Sequence, residues 1–264
     1  MSDSAPAQAV NFIHLHVHSA YSLSEGALPI ARMAELAKIN QMPALAITDT
    51  NNLFGALEYS EALAKAGIQP LIGCAIQVDL IGSDPDPRKN TAPSQDRSHL
   101  VLIAKDELGY GHLMKLTSHL FAEGQESGHL HIDVEHLQKY SAGLICLTGG
   151  PDGPINRALV QGQLVLARQR LELLRAMFGD RLYVELQRHA TNDEQLAEPH
   201  LIDLAYELEL PLVATNEAYF ASANDFEAHD ALLCIADGQV VAADDRRHVT
   251  PEHYFKSAQE MATL

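Results

Sequence analysis

Residues 12–19 read Phe12-Ile13-His14-Leu15-His16-Val17-His18-Ser19, an apolar run with histidine at alternate positions. In a β-strand residues i and i+2 share a face, so His16 and His18 can converge on one point just beyond the strand end. Neutral imidazole is a common nitrogen ligand for zinc-like ions, which makes this end a plausible metal nucleus. A half-buried strand merely decorated with histidines would read the same way. The meaning of the pair therefore depends on which other side chains reach that end.

Outward from this stretch, short apolar runs alternate with longer amphipathic ones. Strands are expected at Phe12–Val17, Ala44–Thr48, Leu71–Leu80, Leu100–Ala104, Leu144–Thr148, Leu182–Leu186 and Leu212–Ala214. Helices are expected near Pro29–Asn40, Leu53–Ala66, Glu107–Phe121, Asn156–Met177, Asn192–Glu209 and Asp225–Ala236, with a shorter one near Val134–Tyr140. Pro29 suits a first helical turn, and Gly67 and Gly179 suit C-terminal caps. Seven strand–helix units predict an α/β fold with parallel strands and right-handed crossovers, closed or nearly closed into a barrel. Gly82–Ser98 (GSDPDPRKNTAPSQDRS) breaks the rhythm and reads as a surface loop, mobile or facing a partner. Ser257-Ala258-Gln259-Glu260 has the form of a capping box four residues before Leu264, so residues 251–264 read as the start of a connection to a further domain. Residues 1–10 read as a flexible N-terminus and 11–250 as one domain.

Charge narrows the function. Eighteen Lys and Arg stand against 35 Asp and Glu, a formal net charge of −17. Nucleic-acid affinity rests on cations that neutralise phosphates, and Arg246-Arg247-His248 is too short to supply them, so direct nucleic-acid binding is not expected. No apolar run is long enough to span a membrane. Cys74, Cys146 and Cys234 lie scattered in apolar contexts and read as reduced core residues of a cytoplasmic protein.

Parallel α/β barrels place their chemistry at the C-terminal ends of the strands. Those ends carry His16 and His18, then Asp49-Thr50, then Glu185 and Gln187, then Asn216-Glu217. His99 stands at the start of its strand, which shifts that boundary or removes it from the site. Histidines and carboxylates at these ends are what a metal-dependent hydrolase presents. Glu185 and Glu217 could pair as general acid and base, whereas Asp49 reads as a loop anchor. The remaining histidines beyond His99 (His112, His119, His129, His131, His136, His189, His200, His229, His248 and His253) read as surface residues.

The runs HLHVHSAYSLSEG, PALAITDTNNLFGA, AGIQPLIGC, TGG and LVATNEAYF, in this order across essentially the whole chain, resemble the PHP (polymerase and histidinol phosphatase) domain of bacterial replicative DNA polymerase III alpha subunits. The resemblance implies a distorted (βα)7 barrel over 11–250 within a much longer parent, a DNA-directed DNA polymerase (nucleotidyltransferase) that uses magnesium. In metal-binding members up to nine side chains hold as many as three ions. Carried over, the ligand positions are His16, His18, Glu25, His99 and Glu217, while Thr50, Ala75, Gly150 and Tyr219 stand where four ligands are lost. Ala75 and Gly150 offer no donor atom, and the hydroxyls of Thr50 and Tyr219 are weak ligands. A cluster of mutually repelling cations needs carboxylates to neutralise it. The expectation is therefore a vestigial site with no catalytic residue, holding at most one divalent ion, zinc or manganese, weakly at His16 and His18. The implied role is structural support for the rest of the polymerase and docking of the proofreading exonuclease subunit. The rival is an active metal-dependent phosphoesterase or 3′–5′ exonuclease.

Overall fold

The structure is a computed structural model that describes residues 12–80, 98–127, 130–243 and 246–264. Residues 1–10 and the expected loop up to residue 97 lie outside the described residues. The elements in chain order are α1 (Ile30–Ile39), β1 (Ala44–Ile47), α2 (Ala56–Ala66), β2 (Gln69–Asp79), β3 (Ser98–Ala104), α3 (Glu107–Ser127), β4 (Ile132–Asp133), α4 (Val134–Lys139) and β5 (Leu144–Leu147). There follow α5 (Pro154–Val160), α6 (Leu164–Phe178), β6 (Leu182–Leu186), α7 (Asn192–Glu207), β7 (Leu212–Ala214), α8 (Phe226–Asp237) and α9 (Ala258–Met261). The sheet order is β1-β2-β3-β5-β6-β7, with the short β4 beside β2.

The expected strand at Phe12–Val17 is irregular, because the Val17 amide bonds the Thr48 hydroxyl at 2.9 Å instead of a ladder carbonyl. The segment nevertheless joins β1 to the residues that follow β7. On one side His14 and Val17 carbonyls accept from Ala46 and Thr48 at 2.9 and 2.8 Å. On the other, His18 donates to Ala218 at 2.9 Å and Ala218 to His16 at 3.3 Å. The seven-stranded sheet is thereby curled into a distorted α/β barrel whose closing segment carries the alternating histidines.

Three apolar clusters show the layers. Val101, Ile103 and Leu147, packed with Leu15, Leu71, Tyr183 and Val213, fill the inside of the curl. The opposite faces of the same strands, through Leu100, Leu102 and Cys146, pack on α3, α5, α6 and α7. A separate cluster seats α1 and α2 on β1 and the closing segment. β1 is therefore buried along its whole length and reads Ala-Leu-Ala-Ile without alternation. All three cysteines are buried and free, as expected.

Two expectations need correction. β3 runs antiparallel to both β2 and β5, so the sheet is mixed. The single helix expected at Asn156–Met177 is two. Pro154, at a first-turn position, starts α5 early, and Gly162 at φ +71 ends it, because this left-handed turn cannot continue an α-helix. The capping box at Ser257 is present, with its side chain accepting from Glu260 and returning the bond.

Candidate functional site

The antiparallel course of β3 places its first residues at the same rim as the last residues of β1 and β2. His99 pairs with Gln77 near the end of β2. A cleft of about 500 Å³ opens at this rim, lined among others by His16, His18, Glu25, Thr50, Ala75, His99, Glu217 and Tyr219. All eight are positions that the motifs place at the site, and Ala75 is joined to Thr50 by an isolated parallel bridge. Gly150 is set back. Its φ is +57, and a Cβ there would lie 2.6 Å from the Gln187 amide, which takes the space a ligand side chain would need.

His16 and His18 are each held by one ring nitrogen. His16 Nδ1 lies 2.8 Å from Glu185 Oε1. Glu185 is fully buried and also accepts from the Gly149 amide at 2.9 Å, from Gln187 Nε2 at 3.1 Å and from the Thr215 hydroxyl. His18 Nδ1 lies 3.0 Å from Ser22 Oγ, which itself donates to Asp49 Oδ1 at 2.7 Å. That chain assigns the proton of His18 to Nδ1. Asp49 also accepts from the amide and hydroxyl of Ser19, both at 2.7 Å. It is an anchor, as expected, but it anchors the histidine loop rather than the loop that follows it.

The other two nitrogens, His16 Nε2 and His18 Nε2, are buried without a hydrogen-bond partner and both stand 3.6 Å from Glu217 Oε1. Three ligand atoms so converge, backed by outer partners that fix ring orientation, as in carboxylate–histidine–metal arrangements. Glu217 reaches this position through a backbone φ of +41. The group fits one ion. Its neighbours in the cleft are engaged with protein groups. Glu25 Oε2 is taken by the Thr50 hydroxyl at 2.6 Å and Oε1 by Arg247 at 2.9 Å, so both oxygens are engaged with protein donors. Tyr219 stacks on His18 at 4.4 Å and gives its hydroxyl to Glu217 at 2.8 Å, filling another ligand position with a donor.

Electrostatics agree with this division. Burial alone would lower the His16 imidazole, but Glu185 and Glu217 overcome it and raise His16 to about 9. Burial would raise Glu217, yet His16 and His18 hold it far below the usual carboxylate range. Glu25 is likewise held low against burial by Thr50, His18 and Arg247. At neutral pH His16 is then an imidazolium, a positive charge placed where an ion would otherwise balance the carboxylates. An incoming metal must displace that proton, so binding there weakens as pH falls.

Glu185 was legible as a strand-end carboxylate but not as the partner of His16, since 169 residues separate them. The reading of the remaining histidines as surface residues is wrong for three of them. His189, His229 and His253 are buried. His189 pairs with Glu194 at 2.7 Å and stacks on His253 at 3.6 Å, and His229 reaches the Glu25 carbonyl at 2.6 Å. Alternation with apolar neighbours would have flagged none of them, because each is buried by a contact distant in sequence.

A curled mixed sheet closed by a His-x-His segment, with histidines and carboxylates around one rim, defines a class. The family model described as PHP domain matches residues 14–189, two thirds of the chain, and the chain belongs to that family. Over all 264 residues it is 46% identical to DNA polymerase III subunit alpha of Caulobacter vibrioides, and over 258 residues 40% identical to that of Rickettsia prowazekii. It spans only about a fifth of the length of these relatives (22% and 20%). Among solved structures, an amidohydrolase from Chromobacterium violaceum with bound sulfate and no metal shares the fold at TM-score 0.53 and 17% identity, covering 78% of this chain and 87% of that one.

Proposed function

We propose that this chain is a non-catalytic structural and docking domain, the N-terminal part of a bacterial replicative DNA polymerase III alpha subunit. On this reading residues 251–264 lead toward the polymerase core, which carries out magnesium-dependent DNA synthesis, and the barrel braces that core and receives the proofreading exonuclease subunit. The observation that supports it best is the engagement of Glu25, whose two oxygens are held by Thr50 and Arg247 and so are withheld from a metal cluster. Vestigial metal-site positions are then His16, His18, Glu25, His99 and Glu217, with any weakly held zinc or manganese at His16 and His18. Titration calorimetry of the chain with the exonuclease subunit tests the docking role. A complex at micromolar concentrations is expected, and none at tens of micromolar would overturn it.

The rival reading, an active phosphoesterase, is favoured by one feature, the convergence of His16, His18 and Glu217 on a single ion position. A lone ion with an open coordination position can activate water. The imidazolium of His16 and the loss of donors at Ala75 and Gly150 weigh against it here.

A further inference from the structure

A second group of metal-ligating side chains lies outside the cleft. One ligand atom each of His119, Asp133 and His136 come within 4.8 Å of one another, and none of the three lines the cleft. We propose that these residues form a surface site for one zinc-like divalent transition-metal ion, independent of the His16–His18 rim.

The backbone that carries the group is already fixed. Asp133 belongs to β4, held in register with β2 by the pairs Val78–Ile132 and Asp79–Asp133. Its carboxylate also caps α4, accepting from the His136 amide at 2.7 Å, so Asp133 and His136 stand three residues apart on one face of the first turn. His119 comes from α3, which is seated on the core by the buried Leu116 and Leu120. Only side-chain torsions remain to be set, and Asp133 and His136 are 50% and 29% exposed, which leaves them room to move. Zinc–ligand bonds of about 2.0–2.2 Å require tetrahedral ligand edges of roughly 3.3–3.5 Å. The atoms must therefore close by about 1.5 Å at most, within reach of a rotamer adjustment.

The donor set selects the ion. Two imidazoles and one carboxylate suit zinc or nickel, whereas calcium and magnesium prefer oxygen throughout. The net charge of −17 favours cation accumulation at the surface. Without an ion, His136 Nδ1 sits 3.0 Å from both Asp133 oxygens, and its ring stacks on His119 with centroids 3.6 Å apart and planes 24° apart. Stacked rings cannot aim their in-plane lone pairs at one point, so loading must open that stack. The bound ion would then tie α3 to the start of α4.

The test is zinc titration of metal-stripped protein against a chromophoric chelator, using the chain with His16→Ala and His18→Ala so that the cleft is silent. One equivalent of zinc is expected. Affinity should fall at least tenfold in His119→Ala and in His136→Ala, and stay unchanged in His200→Ala, a change at an exposed histidine of α7. The unsubstituted chain supplies a second readout that does not depend on the cleft variant folding. Its His119 and His136 ring proton resonances should shift on zinc addition as the stack opens. No zinc bound at about 10 µM, binding indifferent to His119→Ala and His136→Ala, or unmoved ring resonances would each overturn the proposal.

Discussion

Replacing Glu185 by glutamine exchanges one oxygen of a fully buried carboxylate for an NH2 group. The existing carboxylate accepts from four donors, His16 Nδ1 and Gln187 Nε2 and the Thr215 hydroxyl on Oε1, and the Gly149 amide on Oε2. Whichever way the new amide turns, its NH2 faces at least one donor. An unsatisfied buried donor costs about 1–3 kcal/mol, and loss of a hydrogen bond to a charged group about 1.5–3 kcal/mol. The sum, about 2.5–6 kcal/mol, brackets the roughly 3–5 kcal/mol cost of breaking a buried ion pair. The same pair carries a pH signature. Raising His16 from 6.5 to about 9 corresponds to about 3 kcal/mol of stability, at about 1.4 kcal/mol per unit. Because the folded value is the higher one, that stability is fully present below pH 6.5 and is lost as pH rises toward 9. Urea unfolding of the metal-stripped chain should therefore show lower stability at pH 9 than at pH 6.5. Glu185→Gln should cost most at pH 6.5 and distinctly less at pH 9. A cost below about 1 kcal/mol, or an equal cost at both pH values, would refute the assignment of His16 as an imidazolium held by Glu185.

Other outcomes follow from the same geometry. Asp49→Ala removes the acceptor of Ser19 and Ser22 and should destabilise the chain by about 2–4 kcal/mol in denaturant titration. Gly150→Ala meets both a left-handed backbone and the Gln187 amide, and should lower stability by about 1–3 kcal/mol, with the steric part relieved in a Gln187→Ala background. Fluorescence anisotropy with single-stranded and primer–template DNA should give dissociation constants weaker than about micromolar at physiological salt, because 35 acidic side chains outnumber 18 basic ones and oppose phosphate binding.

Much of the fold was legible in sequence because its strands are short apolar runs set between helices with clear start and stop signals, such as Pro29 and Gly67. The reversal of β3 was not, since an apolar strand reads the same in either direction. His99 was the residue that registered the problem, standing at the wrong end of a strand assumed parallel. The His-x-His pair and the other rim positions, Thr50 and Tyr219 among them, were legible because motif order survives in the chain. Arg247 on Glu25 and Gln187 beside Gly150 were not, because both fill space from positions far along the chain that carry no motif. Buried His189 and His253 escaped for a related reason. A stacked, hydrogen-bonded histidine pair has no periodic signature.

On the proposed reading, protein donors and an imidazolium occupy the cleft in place of a catalytic metal cluster. Hydrolysis of a nitrophenyl phosphate ester and of a 3′-mismatched primer, in manganese and in zinc, tests it most directly when the chain is run beside its His16→Ala variant. The account predicts no turnover above that of the variant in either metal. Turnover by the unsubstituted chain that His16→Ala abolishes would contradict it.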